Sequence, residues 1–153
     1  MSFTNADLLA IKAELNNNPL ALSGYLPLAN SANDEANANA LNLVRAETKV
    51  DRESIPVSEV VKAVDADEFI ALSQPQRDYL AFIANGQSVN PKSGNEVREA
   101  LLQFFGGGSE TRASLLAIVQ ENASRVTQLY KAGTLSDGGQ VTPSDVSNAR
   151  NAT

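Results

Sequence analysis

The sequence lacks cysteine and histidine altogether. Without cysteine, the chain can form neither a disulfide framework nor a thiolate metal site. Without histidine, it lacks the commonest general base, the commonest zinc ligand and the usual charge switch near neutral pH. Any chemistry would fall to carboxylates, hydroxyls, lysine, arginine and tyrosine, which makes an enzyme the least favoured class.

Long apolar runs are also missing. No stretch approaches the roughly 18 residues that a membrane span requires. Residues 1–7 have neither the basic region nor the apolar region of a signal peptide. We therefore expect a protein that is synthesised in the cytosol, stays soluble and has no membrane partner.

Basic residues are outnumbered by acidic ones, with 12 Lys and Arg against 18 Asp and Glu, which gives a net charge of −6. This balance argues against a protein whose main task is to neutralise phosphates. An acidic protein can still line a channel through which DNA slides without binding. With 153 residues, 42% of them hydrophobic, the chain is the size of one domain with a substantial core.

Helix start and stop signals occur along most of the chain. The clearest is Ser73, which predicts an N-cap with Gln76 as its capping-box partner, and this helix is expected to stop at Gly86. Thr4 and Thr142 predict further N-caps, each with an aspartate three residues later. The sequence therefore predicts helices beginning near residues 4, 73 and 142.

Periodicity adds further helices between these signals. Val57, Val60, Val61 and Val64 have the i, i+3, i+4, i+7 spacing of one helix face, although valine also suits a strand. A helix over residues 33–46 is predicted before them, and the segment 48–56 has β-branched residues that permit an extended conformation. A break is predicted near residues 122–124.

The predicted fold class is all-α, a compact multi-helix bundle with an extended or hinged C-terminal arm. Residues 1–132 form the helical body in this prediction. Residues 133–153 form the arm, which contains a hinge rich in Gly, Ser, Asp and Thr, a short helix and a tail.

Three acidic residues, Asp65, Asp67 and Glu68, form a candidate metal cluster. Metal-binding loops place their ligands along a turning backbone with a glycine at the sharp bend, and no such glycine is present here. Acidic residues at this position are typical of a helix N-terminus. We interpret the cluster as a helix cap and predict no metal site.

The run Gly106–Gly108 precedes a helix, as in a phosphate-binding loop. It lacks the following lysine and the hydroxyl that would bind magnesium, so a hinge between two helices is favoured. A Ser–Lys pair without histidine exists among hydrolases, but no serine here lies on a strained turn. We predict no catalytic residue and no cofactor.

Two groups are candidates for contacts with other chains. Tyr25 lies among several leucines that form either a docking patch or part of the core, and core is favoured. Arg45, Lys49 and Arg52 alternate with acidic residues, which indicates a solvated face or salt bridges between subunits rather than a nucleic-acid patch.

Short motifs follow one another in a characteristic order along nearly the whole chain. They are Leu15 and Pro19, Gly24-Tyr25, Ala40-Leu41-Asn42, Val50-Asp51-Arg52, Ile55-Pro56-Val57, Leu72-Ser73, Val97-Arg98, Phe104-Phe105, Thr111-Arg112, Ser124-Arg125, Val141-Thr142, Asp145-Val146 and Ala149-Arg150. In this order the chain resembles the head-to-tail adaptor, or neck, proteins of tailed bacteriophages. One departure is that Val126-Thr127 follow Ser124-Arg125, where an acidic and a small residue are expected.

The resemblance implies a structural virion protein of the neck, between capsid and tail, synthesised in the host bacterial cytoplasm. It implies a homo-oligomeric ring, commonly dodecameric, that binds the portal protein, extends the DNA channel and docks tail or nozzle proteins, while genomic DNA passes without specific binding. The C-terminal arm would bind the portal and become ordered on assembly. The predicted portal-docking residues are Val141, Thr142, Pro143, Asp145, Val146 and Arg150. The predicted subunit-interface residues are Tyr25, Arg45, Arg52 and Arg125.

Two other functions stay open at the level of sequence. One is a head-completion or tail-completion protein of a phage, a class that more often has substantial β-structure. The other is a small helical regulatory or DNA-binding module, which the negative charge and the absence of a clear recognition helix oppose.

Overall fold

The computed structural model describes residues 3–153. These residues form nine α-helices, a short 3₁₀-helix at Ser31–Asn33 and four strands. The helices are α1 Asn5–Asn17, α2 Asp34–Asn42, α3 Val57–Ala63, α4 Ala66–Ala71, α5 Gln74–Ala84, α6 Glu96–Phe104, α7 Glu110–Ile118, α8 Arg125–Lys131 and α9 Pro143–Asn151. The strands are β1 Val44–Asp51, β2 Ile55–Pro56, β3 Ser88–Val89 and β4 Gln120–Ser124.

The predicted all-α class is wrong. Helices hold 55% of the chain and strands 11%, in two small antiparallel sheets, so the fold is α+β. One sheet pairs β1 with β4, and the other pairs β2 with β3 in the register Ile55 to Val89. Helix α2 stops at Asn42 rather than reaching residue 46, because the following segment is used as a strand.

The composition of β1 explains why it is extended. Thr48 and Val50 are buried while Glu47 and Lys49 are exposed, which is the period of two expected of a strand with one covered face. The Thr48 hydroxyl donates a hydrogen bond of 2.6 Å to the backbone oxygen of Ala123 in β4. The buried hydroxyl is thereby satisfied by the neighbouring strand.

Several predicted caps are confirmed. The side chains of Thr4, Ser73 and Thr142 each accept from the backbone N–H three residues later, and the side chain of that later residue accepts from the cap in return. The valine-rich segment is helical, as its period predicts, over Val57–Ala63. The glycine run 106–108 separates α6 from α7, and Ser109 caps α7.

The chain divides into two compact units. The first contains residues 3–50 and 122–153, and the second contains residues 51–121. The first unit is built from α1, α2, α8 and α9, and α9 packs on both α1 and α2. Its core consists of Ile11, Leu15, Leu28, Ala38, Leu41, Val126, Leu129, Leu135, Val141, Val146 and Ala149.

The second unit is built from α3 to α7 with the β2–β3 sheet. The rings of Tyr79 and Phe104 meet edge to face at 5.6 Å between their centres. Within this unit, α3 packs on α5 and α7, and α6 packs on α7. Its core consists of Ile55, Val57, Val60, Leu72, Leu80, Ile83, Val89, Leu101, Phe105, Leu115 and Val119.

This division differs from the predicted body 1–132 and arm 133–153. The predicted arm belongs to the first unit, where Val146 and Ala149 are fully buried. In the hinge segment Leu135 and Val141 are buried and most other residues are exposed, although a Cβ added at Gly138 would lie 2.7 Å from Cδ1 of Tyr130. Residues 133–153 belong to the first unit in this structure.

None of the helices formed by residues 3–153 is long and apolar enough to cross a bilayer.

The packing of α9 predicts a loss of stability on cavity formation. Val146→Ala removes two methyl groups from a site with no solvent exposure, so we expect it to lower the free energy of unfolding by about 2 kcal/mol. The matched variant Ser144→Ala, at an exposed position of the same helix, should change it by less than about 0.5 kcal/mol. Urea denaturation followed by circular dichroism measures both. Equal stability of the two variants would contradict the docked position of α9.

Candidate interaction surfaces

Two of the predicted subunit-interface residues meet at one buried carboxylate in the first unit. Arg125 donates to Glu14 through Nε and Nη2, at 2.9 and 2.8 Å, and the Tyr25 hydroxyl donates to the same carboxylate at 3.2 Å. Glu14 is only 5% exposed. Burial, and then the Glu14 charge, raise the pKa of Tyr25 above its usual value. Because a buried charge requires a partner, Arg125 and Tyr25 stabilise the buried Glu14 carboxylate within the first unit.

Arg45 joins the loop before α2 to the end of that helix. Its guanidinium donates to Oγ and the backbone oxygen of Ser23, at 3.0 and 2.8 Å, and to the backbone oxygen of Ala40 at 3.1 Å. The loop approaches α2 closely at Gly24, where φ is +92° and an added Cβ would lie 3.3 Å from that of Ala40. Arg45 is therefore engaged within its own unit.

Arg52 belongs to the second unit, whereas Tyr25, Arg45 and Arg125 belong to the first. It forms a salt bridge to Glu59 at 2.7 Å and also donates to the backbone oxygen of Ile118. The hydrogen bond from Arg52 lowers the pKa of Glu59 and raises that of the guanidinium itself. All four predicted interface residues thus have intramolecular partners.

The predicted portal-docking residues surround the start and the inner face of α9. Val141 and Val146 are buried, and Thr142 and Asp145 form the capping box at the helix N-terminus. Arg150 forms a bidentate pair with Asp34, at 2.6 and 3.0 Å. Of these residues, only Thr142 and Pro143 are exposed in the docked helix.

A buried aspartate fixes the segment that was predicted as a hinge. Asp7 accepts hydrogen bonds from the backbone N–H and the hydroxyl of Ser136, at 2.7 and 2.6 Å, and from both groups of Thr4, at 2.8 and 2.6 Å. Burial alone would raise the pKa of this carboxyl, but the hydrogen bonds from Ser136 and Thr4 outweigh it and hold the pKa well below the usual 3.8.

The acidic cluster of the second unit caps two helices. The Asp65 side chain accepts from the backbone N–H groups of Asp67 and Glu68, which starts α4. Glu68 then accepts from the backbone N–H groups of Glu110 and Thr111, at 2.8 and 2.9 Å, which caps α7. The capping interpretation of Asp65 is therefore confirmed. Among residues 3–153, no group of three or more potential ligands is placed to hold a metal ion.

The second unit has a groove on its surface that sequence reasoning missed. It has a volume of about 330 Å³ and is formed by α3, the start of α4 and α5. We call it the apolar groove. It is lined by Val57, Val60, Val61, Val64, Ala66, Phe69, Leu80, Ala81, Ile83 and Ala84.

The helices that form the apolar groove also carry exposed apolar side chains. Phe82 is 75% exposed, Ile70 66% and Val61 53%. No polar side chain is among the described residues that line the groove, so it offers no acid, base or nucleophile. Open apolar surface of this kind is typical of a site that binds apolar side chains of another chain.

One sequence signal points to this groove. Four valines were assigned to one helix face, yet that face is wider than the core of the unit covers: Val57 and Val60 are buried whereas Val61 is exposed. An apolar helix face that is wider than the core it packs against leaves apolar side chains open to contact with another chain.

Comparison with known proteins gives no relative, since no family model, no curated protein and no solved structure matches this chain.

The contacts of Asp7 predict how stability depends on pH. Asp7→Asn removes the charge that accepts four hydrogen bonds, so we expect a loss of about 2 kcal/mol in the free energy of unfolding at neutral pH. The folded pKa lies below the unfolded value of 3.8, so the advantage of the wild type is complete above that pH. It should shrink as the pH falls below 3.8 toward the folded pKa.

Urea denaturation of both proteins across this pH range checks the prediction. Glu47→Gln, at an exposed position of β1, is the matched control and should differ little from the wild type. A difference between Asp7→Asn and the wild type that stays constant down to the lowest pH would show that the Asp7 charge is not responsible.

Proposed function

We propose that this chain is a structural virion protein, a head-to-tail adaptor that assembles as a ring beneath the portal of a tailed bacteriophage. The ring extends the DNA channel and presents a platform for tail or nozzle proteins. The observation that carries the proposal is the apolar groove, an open apolar surface without catalytic groups, as expected of a protein that acts by docking onto other chains. The order of motifs along the chain supports the choice of family.

The distribution of charge supports the role in a DNA channel. Residues 51–121 contain eleven Asp and Glu against six Lys and Arg, a net charge of −5, whereas the remaining residues sum to −1. Phosphates are repelled by such a surface, so DNA slides past it instead of adhering. In the assembled ring, the second unit is the part best suited to face the DNA.

In this fold, binding of the predicted docking residues to the portal requires α9 to leave its present position. Val141 and Val146 are buried against the first unit, so they reach a portal groove only after α9 leaves α1 and α2. The contacts that must break first are polar and reversible: Arg150 with Asp34, and Asn42 with the backbone of Val141, at 2.7 and 2.9 Å. Binding to the portal would have to replace these contacts and the burial of the two valines.

Electron microscopy of negatively stained mixtures tests the proposal. We expect the full chain, mixed with the portal protein encoded in the same genome, to add a ring of density beneath the portal, and portal alone to lack it. A gel-shift with duplex DNA at physiological salt should show no complex, because DNA passes without specific binding. Failure to associate with the portal, or tight DNA binding, would contradict the adaptor role.

A further inference from the structure

The exposed side chain of Phe82 and the apolar groove lie on opposite sides of the same helix. Leu80 and Ala84 of α5 line the groove, and Phe82 is two positions from each of them. Because an α-helix turns about 100° per residue, a side chain two positions away emerges about half a turn around the helix. One face of α5 therefore carries a prominent aromatic knob, and the other forms the wall of a groove with room for apolar side chains.

Both features are incomplete in the isolated unit. Phe82 is 75% exposed, the highest value for a large apolar side chain among residues 3–153. A phenyl ring buries about 150–250 Å² when it is fully covered, so its transfer into an apolar groove contributes several kcal/mol before the costs of association. A second copy of the chain supplies what each feature lacks.

One exposed acidic side chain lies on the helix face of Phe82, and one exposed basic side chain lies beside a residue of the groove. Asp78 lies one helical turn before Phe82, and Lys62 is next to Val61, which lines the groove. When the knob of one copy docks into the groove of another, Asp78 of the first copy can therefore approach Lys62 of the second. The rim also carries the exposed Asp67, so the attraction is local rather than general.

We propose that the apolar groove of one copy receives Phe82 of a second copy, with Asp78 facing Lys62. This contact is heterologous, because the knob and the groove are different surfaces of each copy. A heterologous contact leaves a free knob at one end and a free groove at the other, so it repeats and closes into a ring if the rotation permits. The inference rests on the ring of the proposed function and specifies which surfaces form it.

Disulfide trapping in the full chain tests this contact, since the protein has no cysteine of its own. We expect an equimolar mixture of Asp78→Cys and Lys62→Cys, which keeps Phe82 intact, to cross-link into dimers under mild oxidation, at least tenfold faster than either variant alone. Both positions are exposed, so the variants should fold normally. The double variant should form a ladder of longer oligomers, because each copy then carries both halves of the contact.

The matched control pairs Asp78→Cys with Leu116→Cys, an exposed apolar position of α7 in the same unit. Phe82→Asp should abolish self-association in sedimentation velocity, whereas the control Leu116→Asp should not.

Cross-linking of the Asp78 and Lys62 pair no faster than the control pair would overturn the inference. That failure is separate from failure of the proposed function: a ring seen beneath the portal without this cross-link would retain the adaptor and reject only the contact. Cross-linking without portal binding would retain the contact between copies and reject the adaptor role.

Discussion

The second unit has more apolar surface than it buries within itself. Helix α3 covers the core with Val57 and Val60 but leaves Val61 largely in solvent, and the ring of Phe82 is largely uncovered as well. Apolar surface in water costs about 25 cal/mol for each Å². Cover by another protein chain would recover this free energy.

In the first unit, the buried acidic side chains have partners within the unit. Glu14 pairs with Arg125 and Asp34 with Arg150, while Asp7 accepts hydrogen bonds from Ser136 and Thr4. Buried charges tolerate removal from water only with such partners. Several residues that sequence reasoning assigned to contacts with other chains are consequently needed by the fold itself.

The features that sequence predicted well are local. Ser73 with Gln76 and Thr142 with Asp145 act within one helical turn, so the residue pattern contains the whole interaction. Strand β4, Gln120–Ser124, is polar and has no strand pattern of its own; it is extended because it pairs with β1, far away in sequence. The docking of α9 on α1 is equally non-local, since Lys12 donates to the backbone oxygen of Ala152 at 2.8 Å.

The apolar groove was missed for a related reason. The spacing of the valines identifies a helix face. The helices that pack against this face come from other parts of the chain, and the sequence pattern does not show how much of the face they cover. The same spacing is expected of a fully buried helix face. A buried face and an open groove can be distinguished only from the positions of α4 and α5 in the structure.

Hydrogen–deuterium exchange of the full chain measures most directly whether the second unit carries the contact. Exchange is compared between dilute and concentrated protein, and the relevant peptides cover Val57–Ala63 and Gln74–Ala84. We expect these two helices to exchange more slowly when the protein is concentrated, because covering the apolar groove suppresses their local opening, while α1 and α9 stay unchanged. Protection confined to α1 and α9, with α3 and α5 unaffected, would contradict the account.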